Sequence, residues 1–372
     1  DGSSSQQEHY KGDNIMGTVQ FGLENLNLDN KKNIVFYYTQ YDRKYDEIAT
    51  IDKYKSEAFG SKYDFSKTID NKFSLGGGLE YKYDWGYFDN NGSYSSATKG
   101  SVDNLAVYSN FGYKVTNNSN LSIFLRNDEH KQTGSNTTYK LNLGNKFKNM
   151  NFGFSRMTGL RNPTLYELYG SDSTGYSGNK NLNSENSTTN ELYFNFFLNE
   201  KVNFSSTLFK SNIEDNIEYN YSDKTYENDI DNVNLNQSGL NGNVSYTGEN
   251  INLNFFTSFL SSKKENGASQ TRRPTKRYGF NLSKTINQKY INEVKLNISY
   301  EHYGKHFDVQ NVSPWSTVEV DSTDIVNINL LKKFGNFDLN FNINNLFDET
   351  YERPLGYNQV GRVFKIGFGK NY

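Results

Sequence analysis

The sequence predicts an all-β fold, an antiparallel transmembrane β-barrel, and three observations predict it. Apolar and polar residues alternate with period two in segment after segment, short and long connections alternate between those segments, and aromatic residues reach 16% in a chain only 34% hydrophobic. Successive side chains of a strand point to opposite faces, so such alternation marks a sheet with one apolar and one polar face. A membrane barrel needs an apolar residue only at every second position, which reconciles a mean hydropathy of -0.84 with a spanning protein. No apolar run approaches the roughly 18 residues of a spanning helix, which excludes a helical membrane protein.

Each element rests on its own pattern, and about seventeen strands are expected in all. The first are placed near 14 to 24, 33 to 45, 52 to 66 and 72 to 84. Next come 102 to 115, with Leu105 and Val107, 120 to 130, with Leu121, Ile123 and Leu125, and 136 to 147, with Tyr139, Leu141 and Leu143. Strands near 149 to 157, 188 to 198, 201 to 219 and 226 to 247 follow. The segment 250 to 263 alternates on Ile251, Leu253 and Phe255, and 275 to 286 on Tyr278, Phe280 and Leu282. In 293 to 306, Val294, Leu296, Ile298 and Tyr300 alternate with Lys295, Asn297, Ser299 and Glu301. Val326, Ile328 and Leu330 mark 318 to 333. Phe337, Leu339, Phe341 and Ile343 against Asp338, Asn340, Asn342 and Asn344 mark 336 to 347, and Phe364, Ile366 and Phe368 mark 361 to 371. No segment carries the i, i+3, i+4 periodicity of an amphipathic helix.

The connections sort by parity. Short ones at 117 to 119, 148 to 149, 199 to 200, 248 to 249 and 334 to 335 alternate with long ones at 85 to 101, 158 to 187, 264 to 274, 307 to 317 and 348 to 360. Bacterial barrels have short periplasmic turns and long extracellular loops. Pro163, Pro274, Pro314 and Pro354 all fall in or beside long connections, as expected of a residue that cannot donate to a ladder. If Tyr372 ends in the periplasm, counting back an odd number of strands places Asp1 outside the cell. A bacterial barrel of even strand number would start where it ends, so the chain is expected to be the C-terminal portion of a longer protein. Residues 1–372 are expected to form one repetitive barrel domain. No secretory signal is visible at Asp1-Gly2-Ser3-Ser4-Ser5, so either processing or an earlier start of the chain must supply one.

Composition excludes several functions. With no cysteine there is no disulfide framework, thiolate metal site or cysteine nucleophile. Lys+Arg 40 against Asp+Glu 42 gives a net charge of -2, scattered along the chain, so nucleic acid is not an expected partner. No nucleophile and base, phosphate loop or metal-ligand spacing emerges, and an enzyme is not expected. His302 and His306 have i, i+4 spacing but fall on an expected strand, where they read as lumen, girdle or loop residues. Asp84 to Asn91, with Trp85, Tyr87 and Phe88, reads as an aromatic loop base in the interfacial girdle.

At the C-terminus, Asn344-Asn345-Leu346-Phe347-Asp348-Glu349-Thr350-Tyr351-Glu352 runs into a loop that turns on Gly356 and Gly361, and Arg362-Val363-Phe364-Lys365-Ile366-Gly367-Phe368 opens a last strand. This ending resembles the final hairpin of TonB-dependent receptors. A second stretch, Gly159-Leu160-Arg161-Asn162-Pro163-Thr164-Leu165-Tyr166-Glu167-Leu168-Tyr169-Gly170, then Gly178-Asn179-Lys180-Asn181-Leu182-Asn183-Ser184-Glu185, is similar to their mid-barrel signature. Ser184 stands where that family usually has proline. The resemblance implies a barrel of 22 strands, the number of plugged outer-membrane transporters. A plug domain, a TonB-contacting segment and about five strands would precede this chain.

The hairpin spacing is most similar to the vitamin B12 receptors. Ala49-Thr50-Ile51-Asp52 resembles a short extracellular loop whose threonine touches cobalamin, and Arg272-Arg273 resembles a paired arginine whose first member does the same. The resemblance thus implies Thr50 and Arg272 as ligand-binding residues, whereas Gln310 and Asn311 stand where that subfamily has a contacting tyrosine. An arginine pair suits amide or phosphate oxygens, and lipopolysaccharide contact or a solvated loop is the other reading open to it. No cofactor is implied for this chain. For the full-length parent the resemblance leaves calcium open, since the calcium-binding aspartates of B12 receptors lie mostly upstream of this chain, with Asp1 as the one candidate remnant.

The expected function is binding of a scarce, large nutrient at the Gram-negative outer membrane for TonB-energised uptake. Cobalamin or a related corrinoid is favoured and ferric siderophores come next. TonB, outer-membrane lipid and lipopolysaccharide are the other expected partners. A passive porin-like channel or surface adhesin barrel is the alternative, and a secreted soluble β protein comes third.

Overall fold

The computed structural model describes residues 9–25, 30–46, 51–90, 97–230, 234–288, 291–310 and 316–370. Strands β1 (His9–Asn25), β2 (Asn30–Asp46), β3 (Ile51–Thr68), β4 (Phe73–Asn90), β5 (Thr98–Lys114), β6 (Ser119–His130), β7 (Gly134–Phe147) and β8 (Met150–Arg161) precede one short helix, α1 (Leu165–Tyr169). Then come β9 (Glu185–Phe197), β10 (Val202–Glu214), β11 (Ile217–Asn220), β12 (Thr225–Asn228), β13 (Leu235–Thr247), β14 (Ile251–Lys264), β15 (Lys276–Gln288), β16 (Ile291–Tyr303), β17 (His306–Val309), β18 (Thr317–Val320), β19 (Thr323–Phe334), β20 (Phe337–Asn344) and β21 (Val363–Lys370). Seventeen strands belong to one sheet, while β11 with β12 and β17 with β18 form separate two-stranded hairpins. The expected strands map onto the seventeen in order.

Four expectations need correction. The stretch 201 to 219 breaks at Asp215, which adopts φ 55°. The Asp229 carboxylate accepts from the backbone N–H of Asp215 and Asn216 at 2.9 and 2.8 Å, folding Ile217–Asn220 back onto Thr225–Asn228. The second break follows Tyr303, beyond which His306–Val309 pairs locally with Thr317–Val320 as β17 and β18. In the third, β4 extends to Asn90, so Trp85, Tyr87 and Phe88 are strand residues and not a loop base. Last, a helix exists. Its five residues are too few for periodicity, and the Thr164 hydroxyl and Glu167 carboxylate form a reciprocal capping box that satisfies its first N–H groups.

The chain divides into two compact units, 1–144 with 155–189 and 212–234, and 145–154 with 190–211 and 235–372. In the first unit, β1 to β6 pair antiparallel in order. The apolar face of its sheet carries Leu79, Leu105, Val107 and Leu125, each about half exposed. Such a patch is a liability in water and is at rest against lipid. The opposite face is a charge ladder. Lys62 lies 3.2 Å from Asp64, Arg126 reaches Glu80 at 2.8 Å and Asp128 at 2.7 Å, and Lys82 lies 2.8 Å from Asp84. The Tyr108 hydroxyl donates to Asp64, and Asn104 Nδ2 donates to Asp128 at 2.8 Å.

In the second unit, β13 to β16 and β19 to β21 also pair antiparallel. Phe255, Phe259, Phe364, Ile366 and Phe368 stand exposed on its apolar face. Its polar face is built of amides rather than charges. Asn297 Nδ2 donates to Asn329 at 2.9 Å, Asn329 donates to Asn340 and Asn342, and Asn327 Nδ2 donates to Ser299 at 3.2 Å.

Candidate functional site

The connection 162–184 folds back over the polar face of its own unit. Arg161 closes it at the base. Nε and Nη2 donate to the two Glu185 oxygens at 2.7 and 2.8 Å, while Nη1 reaches Glu167 at 3.0 Å. This planar, bidentate pairing suits guanidinium and no other side chain. Glu185 also accepts from Ile217 N at 2.7 Å, tying in the β11 hairpin. Ser184 Oγ donates to Asn162 Oδ1 at 2.6 Å, a bond that a proline there would lack.

Helix α1 docks on β4 and β5 where two glycines face each other, Gly86 opposite Gly100. A Cβ on Gly100 would overlap the Tyr169 ring, and one on Gly86 would come within 3.3 Å of Leu165 Cδ1. Leu168 is fully buried with Val102, Leu182 and Ile217 in the unit's small core. At the far end of the connection, Ser173 donates to Asp52 through N and Oγ, both at 3.1 Å.

These contacts hold Tyr166 over a cavity of about 660 Å³ lined by Tyr41, Arg43, Tyr45, Asp52, Tyr54 and Phe88. Tyr54 packs on Tyr45, Phe88 and Tyr166 at ring separations of 5.7, 6.1 and 5.9 Å, in the tilted and edge-to-face range favoured by ring quadrupoles. Behind Tyr166 the rings continue through Tyr176, stacked at 4.6 Å, to Tyr219 and Tyr226. Burial, with Asp172 nearby, raises the Tyr166 phenol well above its ordinary range. It therefore stays protonated and donates to Asp172 at 3.2 Å. A second cavity of about 580 Å³ shares Tyr41, Ser56, Phe88 and Tyr166 and adds Glu57, Lys82, Asp84 and His130.

A separate polar hub occupies the second unit. Asp308 is fully buried and accepts from Arg272 Nε at 2.8 Å, Leu355 N at 2.9 Å and Val309 N at 2.8 Å. Burial alone would raise its carboxyl. The Leu355 N–H, Arg272 and the Val309 N–H outweigh burial and hold it below the usual carboxylate range. Arg272 adopts φ 60°, a left-handed conformation costing roughly 1 kcal/mol for a side-chain-bearing residue. Its own N–H donates to Phe307 O at 2.6 Å. The C-terminal motif is a second anchor there. Asn345 Oδ1 accepts from Glu349 N at 2.9 Å, and Asp348 Oδ1 accepts from Arg362 N at 2.6 Å.

Of the residues singled out from sequence, Thr50, Asn311 and Asp1 lie outside the described residues. Arg272 is half exposed and bound to Asp308, and Arg273 is exposed. His302 stacks on Tyr278 at 4.5 Å with Nδ1 2.9 Å from Asp324, while His306 meets the Tyr303 ring edge-on at 5.3 Å. Both histidines are buried. No group of three or more His, Cys, Asp or Glu side chains that could hold a metal occurs among the described residues. Sequence reasoning missed Arg43, Tyr54, Phe88 as a cavity wall, and Tyr166. The capping-box spacing of Thr164 and Glu167 was the available signal for the last of these.

Residues 1–346 match the family model described as "TonB dependent receptor-like, beta-barrel". The chain is 26% identical over 256 residues to the vitamin B12 transporter BtuB of Vibrio cholerae serotype O1, a match covering 68% of this chain and 40% of that protein. Solved structures of similar fold include the ferric-catecholate import receptor Fiu of E. coli K12, at TM-score 0.79 and 12% identity over 98% of this chain and 64% of that one. The copper transporter OprC gives TM-score 0.77 and 13% identity over 96% and 66%. The FrpB iron transporter of Neisseria meningitidis gives 0.75 and 13% over 95% and 62%. The match thus spans about 40% of the length of the curated relative.

Proposed function

The chain belongs to the TonB-dependent receptor β-barrel family, an outer-membrane family, and from that premise we propose that it forms the wall and ligand-gathering loops of a receptor for active nutrient uptake. A corrinoid such as cobalamin is the favoured cargo. The observation that carries this reading is the 26% identity with a vitamin B12 transporter over 256 residues. Long connections would face the medium and short ones the periplasm, and release inward would require TonB acting through a part of the protein upstream of these residues. Thr50 and Arg272 are the proposed cobalamin contacts. Arg272 supports the assignment by its half-exposed side chain and its backbone held left-handed against buried Asp308, a kind of local strain that persists where the surroundings impose it.

A second reading, a ferric siderophore as cargo, is supported by the aromatic cavity with Arg43 in its wall. Deleting the gene in its native host and following uptake of radiolabelled cobalamin and of ferric chelates separates the two. Loss of cobalamin uptake alone supports the first, and loss of chelate uptake alone supports the second.

A further inference from the structure

The lysines on the lipid-facing side of β1 to β3 divide by the end of the strand on which they stand. At the end covered by the 162–184 connection each has a carboxylate beside it. Lys11 lies 3.7 Å from Asp13, Lys44 2.5 Å from Asp46, Lys53 3.8 Å from Asp89 and Lys55 3.0 Å from Asp42. At the opposite end, where residues 69–72 join β3 to β4 and 115–118 join β5 to β6, stand Lys32 and Lys67. Both are exposed, and among the described residues neither makes an ion pair.

Register places these two lysines together on the apolar side. Leu79 stands opposite Tyr63, and Tyr63 opposite Ile34. Lys32 and Lys67 lie at even spacing from Ile34 and Tyr63 and so share their face. Lys32 is opposite Phe65, and Lys67 is two residues beyond Phe65 on β3, a diagonal neighbour about 7–8 Å away between Cα atoms. The Phe65 ring leans toward β4 and away from Lys32, since a Cβ on Gly77 would come within 3.2 Å of it. Ile34, Phe65 and Leu75 stand exposed beside the pair. Asp64 and Asp70, each three residues from Lys67, are engaged elsewhere. Asp64 takes Lys62 and the Tyr108 hydroxyl, and Asp70 accepts from Lys72 N and Phe73 N at 2.6 and 2.8 Å.

Two ammonium groups on neighbouring strands repel each other, and with no carboxylate of the chain between them the anion comes from outside it. Their flexible four-carbon stems let both reach one point charge. Where a strand leaves the hydrocarbon the anion at hand is a lipid phosphate, toward which such side chains snorkel. The apolar neighbours favour a lipid over a free anion, because acyl chains would cover Ile34, Phe65 and Leu75 and an inorganic ion would not. A zwitterionic headgroup brings a further ammonium to the two already there, whereas a headgroup of net negative charge does not.

We propose that Lys32 and Lys67 form a binding site for an acidic phospholipid of the leaflet facing the periplasm. The two ammonium groups hold its phosphodiester, and its acyl chains lie on Ile34, Phe65 and Leu75. The site goes beyond the uptake reading and is independent of the cargo.

Native mass spectrometry of the receptor, purified in detergent from outer membranes and titrated with phosphatidylglycerol or phosphatidylethanolamine of the same acyl chains, tests it. Phosphatidylglycerol should bind at least ~10-fold tighter than phosphatidylethanolamine. Lys67→Gln should lower that preference about 5-fold, the value of one lysine beside an anionic lipid, and Lys32→Gln with Lys67→Gln should abolish it. Lys32→Arg with Lys67→Arg, which keeps both charges, should retain it, and so should Lys55→Gln at the other end of the strands. Equal binding of the two lipids, a preference that survives the double glutamine variant, or a preference lost equally in Lys55→Gln overturns the proposal. Release of phosphatidylglycerol by inorganic phosphate at equal concentration would mark a free-anion site and overturns it as well. Heat-modifiable migration on gels checks that each variant barrel is folded. Failure of the lipid test leaves the uptake reading standing, since no part of that reading uses these two lysines.

Discussion

Arg161 and Glu185 close on each other through two parallel hydrogen bonds of 2.7 and 2.8 Å, and the whole connection between β8 and β9 hangs from that pair. Because Arg161 also reaches Glu167 and Glu185 also holds Ile217 N, removing Arg161 leaves two carboxylates without their charge mate, and neutralising Glu185 leaves the guanidinium with Glu167 alone. Glu185→Gln or Arg161→Ala should destabilise the connection locally by about 1–2 kcal/mol, the range for a charged hydrogen bond partly screened by solvent. Faster hydrogen exchange at 164–183 and at Ile217, with the sheet unchanged, would be the signature. Arg161→Lys should lose most of the same protection, since an ammonium cannot supply the fork.

The Gly86 and Gly100 pair predicts a steric switch. Gly100→Ala places a methyl into the Tyr169 ring and should displace α1 at a cost of about 1–3 kcal/mol, typical of overpacking. Hydrogen exchange across 165–170 should rise while β4 and β5 stay paired. An unchanged α1 would show that the ring has room to move.

Val107 is half exposed on the face assigned to lipid. Val107→Arg should lower barrel stability in bilayers by about 2–4 kcal/mol if it sits near the midplane. Lys62→Arg, on the opposite face, should change it by less than ~0.5 kcal/mol. Urea unfolding in lipid vesicles reads both.

The Asp308 hub should weaken in acid. Its carboxyl is held below the ordinary range, so its contribution is complete above the unfolded value, about 3.9, and is lost as pH falls through the lower folded value. Burial lowers His306 as well. Its neutral form is the one that folding favours, and that contribution is present above about 6.5 and lost as pH falls through its folded value. Proteolysis within 304–322 should therefore accelerate in two steps as pH drops. His306→Gln should abolish the upper step and Asp308→Asn the lower.

The strands were legible because a period of two survives any loop chemistry. Phe337, Leu339, Phe341 and Ile343 could hardly be read otherwise, and the last three stand opposite Phe368, Ile366 and Phe364 on β21. The breaks at Asp215 and after Tyr303 were not legible. The period of two resumes beyond each, on Ile217 and Tyr219 and on Phe307 and Val309, and the tertiary bonds of Asp229 and the local pairing of His306–Val309 end the strands. The Arg161, Glu167 and Glu185 motif was visible as a pattern, but its bidentate geometry was not. Arg43 was invisible for a different reason. A polar-face arginine on a strand looks the same whether it faces a lumen, a carboxylate or a cavity, and cross-strand register with Gly12 and Tyr54 decides which. Arg272 was reached through family resemblance, and its engagement by Asp308 joins residues far apart in sequence.

The most direct test of the account is accumulation of radiolabelled cobalamin by native-host cells with and without this protein, each with TonB intact or deleted. Accumulation against a gradient that needs both proteins is the predicted result. Accumulation that needs this protein but only equilibrates, at the same rate without TonB, would contradict the account and leave a passive channel in its place.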